Sequence, residues 1–135
     1  MIVKDGEGAS KFVEVTVQHA PSDAAAAGMA RAIAESPLVK TAINGCDPNW
    51  GRIVSAAGYA GVPFDPAGVT LRLNGFLLYQ NGTPVEFDGQ AVSTSIGDHR
   101  DTLVQLDFSE GTAQCRFWTA DLTAEYVRLN ADYHT

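Results

Sequence analysis

Two short stretches at opposite ends of the chain carry side chains suited to holding a small polar ligand. Near the start, Glu7 lies between two glycines in the run Asp5-Gly6-Glu7-Gly8. The glycines let the backbone turn tightly and present a single carboxylate. A carboxylate held in this way could be presented to a ligand. Taken alone, the pattern favours an ordinary surface turn with a solvated acid.

The last six residues, Asn130-Ala131-Asp132-Tyr133-His134-Thr135, offer a second set of polar groups. The Asn130 carboxamide and the Thr135 hydroxyl can each both donate and accept hydrogen bonds. Chain ends are poorly ordered by default unless something holds them. Residue types alone therefore leave open whether this tail has a function.

A third stretch, Gly45-Cys46-Asp47-Pro48-Asn49-Trp50-Gly51-Arg52, has the residues of a loop that leads into a helix. Asp47 is the predicted N-cap, and Pro48 is the predicted first helical residue. Gly51 falls in the first turn, where glycine lowers helix stability, so a close approach to the backbone is expected there. The simplest interpretation is structural, with four side chains that orient the helix and support a pocket: Asp47, Asn49, Trp50 and Arg52.

None of these stretches is a self-contained catalytic motif. The chain has no GxSxG nucleophile elbow, no HExxH zinc motif and no phosphate-binding glycine loop. Cys46 and Cys115 form no CxxC pair, which predicts two free thiols in a reducing cytoplasm. The three histidines share no metal-ligand spacing with the cysteines, so no metal and no cofactor are expected. The sequence is a poor candidate for an enzyme that acts alone.

The composition is that of an ordinary soluble protein. The chain has 135 residues, of which 45% are hydrophobic and 19% charged, so one domain over residues 1–135 is expected. Nine basic against sixteen acidic residues give a formal charge of −7, which argues against a nucleic-acid or anionic-membrane surface. No apolar run reaches a membrane-spanning length and the first residues do not form a signal peptide, so a cytoplasmic location is predicted.

The hydrophobic pattern predicts a strand followed by a helix in the first part of the chain. Val13, Val15 and Val17 alternate with polar residues, which predicts a strand over residues 11–19. Ser22 is the predicted cap of a helix that runs to about Glu35, before Pro37 ends it. A short strand over residues 38–43 and a helix from 47 to about 59 are expected next.

The second part of the chain is predicted to be mainly strands. Asn74-Gly75 and Asn81-Gly82 are typical of two-residue hairpin turns. A weak helix is one interpretation of residues 90–101. Strands are expected over residues 102–108, over 112–118, which should pair back on it, and over 125–129 at the end. The result is a single α+β domain, with two main helices on one face of a mixed, largely antiparallel sheet.

Four separated blocks, in this order, resemble the C-terminal part of the ornithine acetyltransferase family, the glutamate N-acetyltransferases of arginine biosynthesis. The resemblance covers essentially the whole chain, and four blocks in register are more specific than any one alone. They are residues 5–11, 36–42 and 45–52, and Asp121-Leu122-Thr123 leading into 126–135.

The resemblance implies an enzyme that is completed outside this chain. Family members are cleaved autocatalytically before a threonine, whose hydroxyl then carries acetyl from N-acetylornithine to glutamate, with its own amine as a base. That threonine lies upstream of the matched part, so this chain has no catalytic residue and is predicted to be inactive alone. Its partners would be the N-terminal α chain and the upstream part of the β chain, in a heterotetramer.

The resemblance also assigns roles to the two ends of the chain. It implies that Glu7, Asn130 and Thr135 bind the substrate, and it makes the bound acid a better interpretation of Glu7 than the solvated turn. His134 stands where the family usually has a basic residue, and Thr119-Ala120 departs from the commoner pair before Asp121.

Two alternatives remain open at this level. The first is a stand-alone amino-acid-binding or protein-interaction module that has kept the fold without catalysis. The second is a related transferase of secondary metabolism, because the blocks do not separate these substrates.

Overall fold

A seven-stranded sheet forms the centre of the protein, in the order β4-β3-β2-β5-β1-β6-β7. The computed structural model describes residues 12–120 and 127–129 of the chain. A 3₁₀ turn, Pro66–Gly68, precedes β2. The elements in chain order are β1 (Phe12–Ala20), α1 (Asp23–Glu35), α2 (Pro37–Asn44), α3 (Trp50–Gly58), β2 (Thr70–Leu73), β3 (Phe76–Gln80), β4 (Thr83–Pro84), α4 (Gly89–Asp98), β5 (Asp101–Asp107), β6 (Ala113–Ala120) and β7 (Val127–Leu129).

The four helices within residues 12–120 cover one face of the sheet, which confirms the predicted α+β class. The predicted number of main helices was two, and this part of the chain has four. Val13, Val15 and Val17 of β1 are buried beneath these helices, as their alternation predicts. In α1, Met29 and Ile33 lie one turn apart and are fully buried in the same core. The Ser22 hydroxyl accepts a hydrogen bond from the Ala25 backbone N–H at 3.1 Å, so the predicted cap of α1 is confirmed.

The predicted strand over residues 38–43 is wrong, because this segment is the helix α2. α1 ends at Glu35 as predicted, with Ser36 extended before Pro37. Pro37 is also the first residue of α2, since its fixed φ suits the first turn of a helix. Ser36 caps α2 by accepting a hydrogen bond from the Val39 N–H at 3.2 Å. Val39, Ala42 and Ile43 are the buried residues of α2, and their spacing is helical.

The predicted pairing of β5 with β6 is also wrong, because β1 lies between them. β1 is parallel to β5 and antiparallel to β6, with Val15 opposite Val104 on one side and Phe117 on the other. The connection after β5 crosses the end of β1, where the N–H groups of Glu110 and Gly111 both donate to the His19 carbonyl, at 2.8 and 3.1 Å. The chain therefore crosses the end of β1 between β5 and β6, and these two strands do not form a hairpin.

Both Asn-Gly turns are confirmed. Asn74 and Gly75 have φ values of 51° and 86°, and Asn81 and Gly82 have 50° and 82°. These left-handed conformations match the twist of the flanking strands, which is why Asn-Gly is favoured there. The uncertain segment after residue 89 is the helix α4, whose cap Asp88 accepts from two backbone N–H groups.

Thr102 on β5 is fully buried, and its hydroxyl has no hydrogen-bond partner among the described residues. An unpaired buried hydroxyl lowers stability, and valine has the same shape without it. We expect Thr102→Val to raise the free energy of unfolding by about 1 kcal/mol. Urea denaturation followed by circular dichroism measures this. Thr102→Ser is the matched control, because it keeps the hydroxyl and removes a buried methyl, and it should destabilise the protein. A loss of stability in Thr102→Val would contradict the assignment.

Candidate functional site

The block that was predicted to support a pocket forms the connection between α2 and α3. Cys46 turns the chain in the left-handed region with φ 57°, and the Asp47 N–H donates to the Ala42 carbonyl at 2.8 Å. Asn49 caps α3, since its side-chain oxygen accepts from the Arg52 backbone N–H at 3.0 Å. The predicted cap, Asp47, is therefore wrong by two residues. Asp47 closes the end of α2, and its carboxylate accepts from the Asn49 carboxamide at 3.2 Å.

Trp50 and Arg52 attach α3 to its neighbours. The Trp50 ring packs on Tyr79 of β3, with 5.3 Å between the ring centroids. The Arg52 guanidinium donates to the Leu38 carbonyl at the start of α2, at 3.2 Å. At Gly51 an added Cβ would meet only the Asn49 side-chain oxygen, at 3.5 Å, which is an ordinary contact. The close approach predicted at this glycine is absent among the described residues.

Loss of the Asn49 cap should destabilise α3. Replacement by alanine leaves the Arg52 N–H without its partner, so we expect Asn49→Ala to lower the free energy of unfolding by about 1 kcal/mol. Asn49→Asp keeps a capping oxygen and is the control, although it places a second carboxylate beside Asp47. Chemical denaturation compares the two variants. Equal stabilities of Asn49→Ala and the wild type would show that the cap contributes nothing.

The three predicted substrate contacts, Glu7, Asn130 and Thr135, lie outside the described residues. The elements next to them, β1 and β7, are described, and β6 lies between them. β1 begins five residues after Glu7, and β7 ends one residue before Asn130. Phe117 of β6 pairs with Val15 of β1 on one side and Leu129 of β7 on the other. Only one strand separates the two elements, which corresponds to about 10 Å between them.

The Asp47–Arg52 block lies elsewhere. Trp50 contacts β3, which is five positions from β7 in the sheet. The contacts seen for this block are a helix cap and packing between helices and sheet. Its role in supporting a pocket stays a prediction.

Other groups in the described part of the chain offer little chemistry. No set of three His, Cys, Asp or Glu side chains there is placed to hold a metal ion. Cys46 is half-buried and Cys115 is buried, and neither forms a disulfide. The exposed His19 ring pairs with Asp107 at 3.0 Å at the surface. No helix within residues 12–120 is both long and apolar enough to cross a membrane.

One polar cluster was not predicted from the sequence. It lies on the sheet face opposite the helices. The Trp118 indole N–H donates to one carboxylate oxygen of Glu14 at 3.2 Å, and the Arg116 guanidinium lies 3.4 Å from the other. Arg116 also lies over the Trp118 ring, 5.7 Å from its centroid. The polar residues at alternate positions of β1 and β6 could have indicated this cluster. To place them together, however, one must know that β1 pairs with β6.

Comparison with known proteins identifies the family. The ArgJ family model matches residues 1–135, the whole chain. This chain belongs to the ArgJ family. The resemblance noted in the sequence is thereby confirmed at the level of the family.

Curated relatives of this ArgJ chain have the name arginine biosynthesis bifunctional protein ArgJ. The protein of Rhodopirellula baltica is 47% identical over 135 residues, which are all of this chain and 33% of the relative. The protein of a Synechococcus strain is 48% identical over 142 residues, covering 99% of this chain and 34% of the relative. The chain thus spans about a third of the length of these relatives.

A solved structure has the same fold. The crystal structure of arginine biosynthesis bifunctional protein argJ from Bacillus halodurans superposes with a TM-score of 0.83 at 32% sequence identity. The match covers 90% of this chain and 57% of the other. The architecture described for the ArgJ chain is therefore also found in an experimental structure of the family.

Proposed function

We propose that this chain is part of a glutamate N-acetyltransferase, which moves acetyl from N-acetylornithine to glutamate in arginine biosynthesis. The observation that carries the proposal is the match of all 135 residues to about one third of proteins named for arginine biosynthesis. A part of this size can supply substrate contacts to a site that the remaining sequence completes.

The chemistry proposed for the complete enzyme is a two-step transfer. A threonine hydroxyl in the upstream part attacks the acetyl group of N-acetylornithine, and its own N-terminal amine takes the proton. Ornithine leaves as the amine, and glutamate then accepts the acetyl group from the threonine ester. No residue of the present chain is assigned to bond formation. The chain is accordingly proposed to be inactive alone.

The proposed role of this chain is to hold the amino-acid part of the substrate. The Glu7 carboxylate would accept charge-assisted hydrogen bonds from an ammonium group of the ornithine moiety. Asn130 offers a donor and an acceptor, and the Thr135 hydroxyl can pair with the substrate carboxylate. β1 and β7 lie on either side of β6 and run in the same direction. Phe12, which follows Glu7 in the chain, is level with Ala120, whereas Leu129, which precedes Asn130, is level with Phe117. The strand register alone does not bring Glu7 and Asn130 together, and the assignment rests on the family resemblance.

Assembly and location are part of the same proposal. The partners would be the N-terminal α chain and the upstream part of the β chain, produced by autocatalytic cleavage and assembled as a heterotetramer in the cytoplasm. In this account the present chain contributes its residues to a site shared with those partners.

A chimaeric enzyme tests the proposal. In it, this chain replaces the matching third of the Rhodopirellula baltica relative, and acetyl transfer from N-acetylornithine to glutamate is measured. We expect transfer by the chimaera, and a loss of about 1.5–3 kcal/mol of transition-state stabilisation in Glu7→Ala, or roughly 10- to 100-fold in kcat/KM. Asn130→Ala and Thr135→Ala should show losses of the same kind.

Glu86→Ala is the control for these variants, because it removes an exposed carboxylate from the loop before α4. It should leave kcat/KM unchanged. If the chimaera transfers no acetyl while its parent is active, the proposal fails in favour of a binding module. If Glu7→Ala behaves like Glu86→Ala, the assigned contact is wrong.

A further inference from the structure

One face of the central sheet has no helix against it among the described residues. We call this the open face and define it by the side chains on β5, β1 and β6 that point away from the four helices. They are Glu14, Thr16, Leu103, Gln105, Arg116 and Trp118. All of them are half-buried except Arg116, which is exposed.

The strand directions argue against a permanently solvated open face. Sheets with a face in water are commonly antiparallel, whereas parallel strands are usually covered on both faces. Here β1 and β5 are parallel from Phe12 to Gln18 and from Asp101 to Asp107, and both are interior strands of the sheet. An interior parallel pair therefore favours a second layer on the open face.

The side chains of the open face are those of an interface. Tryptophan and arginine are enriched at the centres of protein interfaces and carry much of the binding energy there. Trp118 is held in place by Glu14, and Arg116 lies over its ring, so the aromatic surface is fixed before any partner arrives. Beside Glu14, Leu103 on β5 adds an aliphatic contact in the same row as Trp118.

The exposed apolar residues elsewhere do not form a comparable surface. Leu38 is 59% exposed at the start of α2, and Tyr59 is 86% exposed just after α3. Phe76 is 36% exposed at the start of β3. Hydrophobic residues that are exposed singly are ordinary on soluble proteins.

The relatives supply an occupant for the open face. About two thirds of the length of the curated ArgJ proteins has no counterpart in this chain, and 43% of the matched Bacillus halodurans chain lies outside the superposed part (100% − 57%). We propose that this remaining part of the ArgJ protein docks on the open face. The inference rests on the proposed function, because that function requires the remaining part to join this chain.

The chemistry of the open face defines what its partner must present. Apolar side chains are needed over Trp118 and Leu103. A carboxylate or carbonyl is needed for the donors of Arg116 that Glu14 does not use, since a guanidinium has five N–H groups. A second copy of this chain would bring only its own Glu14 as an acid, and that carboxylate already pairs with Arg116 of the same copy.

Cysteine labelling tests the docking directly. In a Cys46→Ser background, Thr16→Cys places a thiol at the centre of the open face, and Ser55→Cys places one on the exposed side of α3. Cys115 is buried. Maleimide reaction rates are measured in the free chain and in the chimaera with the Rhodopirellula baltica sequence. We expect Thr16→Cys to react roughly tenfold or more slowly in the chimaera, because interface cores exclude solvent, and Ser55→Cys to react equally in both.

Three results would overturn the docking. One is an equal rate for Thr16→Cys in the free chain and the chimaera. Another is slow reaction already in the free chain, which would mean that a segment of this chain itself covers the face. The third is slower reaction of Ser55→Cys, and not of Thr16→Cys, in the chimaera than in the free chain. Acetyl transfer by the same chimaera is a separate readout. If the chimaera is active and Thr16→Cys reacts as fast as in the free chain, only the docking is rejected. If the chimaera is inactive and Thr16→Cys reacts more slowly, the docking is supported and the proposed function is rejected.

Discussion

Replacement of Phe117 by alanine is expected to lower the free energy of unfolding by about 3–5 kcal/mol. Phe117 lies on β6 with 1% of its surface exposed and is among the largest fully buried side chains described. Its ring points towards α1, where the Arg31 guanidinium lies 5.6 Å from the ring centroid. Truncation removes this contact and leaves a cavity between β6 and α1 that the surrounding backbone cannot fill. Because total stabilities are about 5–15 kcal/mol, a large part of the fold's stability would be lost.

Two variants separate the contributions at Phe117. Phe117→Leu keeps most of the volume and should lose roughly half as much or less. Arg31→Ala removes only the cation–π contact, which is worth about 0.5–1 kcal/mol at an exposed site. Urea denaturation followed by far-UV circular dichroism measures all three. If Phe117→Ala lowers the free energy of unfolding by less than Phe117→Leu does, the ring is not buried as described.

Replacement of Gly111 by alanine is expected to have the second largest effect. An added Cβ would lie 2.5 Å from the Ala20 carbonyl oxygen and 3.2 Å from the Pro21 Cα, and both are backbone atoms. The end of β1 must move to relieve this clash. The movement would weaken the hydrogen bond from the Gly111 N–H to the His19 carbonyl. We expect a loss of about 3 kcal/mol and a fall in Tm of roughly 10 °C.

Gly58→Ala is the matched control for Gly111→Ala. Gly58 is the last residue of α3, and an added Cβ meets nothing within 4 Å. Alanine is a better helix former than glycine, so this variant should be neutral or slightly more stable. Differential scanning calorimetry compares the two. An unchanged Tm in Gly111→Ala would mean that the connection from β5 to β6 does not pass this closely over β1.

The parts of the fold that local patterns determine could be predicted from the sequence. The valines of β1, the Ser22 cap and the two Asn-Gly turns each depend on a few adjacent residues. Pro37 was correctly interpreted as the end of α1, but proline also suits the first residue of a helix, and the start of α2 was missed for this reason. The Asp47 cap failed for a similar reason, since Asn49 lies two residues further and the bond from Asp47 to Ala42 decides between them.

Non-local pairing and the site were harder to predict. β5 and β6 adjoin in sequence, but β1 separates them through bonds to His19 that no local pattern shows. The cluster of Glu14 with Trp118 joins residues 104 positions apart, so it needed the sheet register. Glu7, Asn130 and Thr135 became candidates through the family resemblance, because a carboxylate between glycines and a polar tail are common at surfaces.

The measurement that tests the central claim most directly is acetyl transfer from N-acetylornithine to glutamate, by this chain alone and by this chain mixed with the unmatched part of the Rhodopirellula baltica relative. The claim is that this chain contributes substrate contacts and no nucleophile. It predicts no transfer by the chain alone and transfer by the mixture. Transfer by the chain alone would contradict it, because the nucleophile would then lie within these 135 residues.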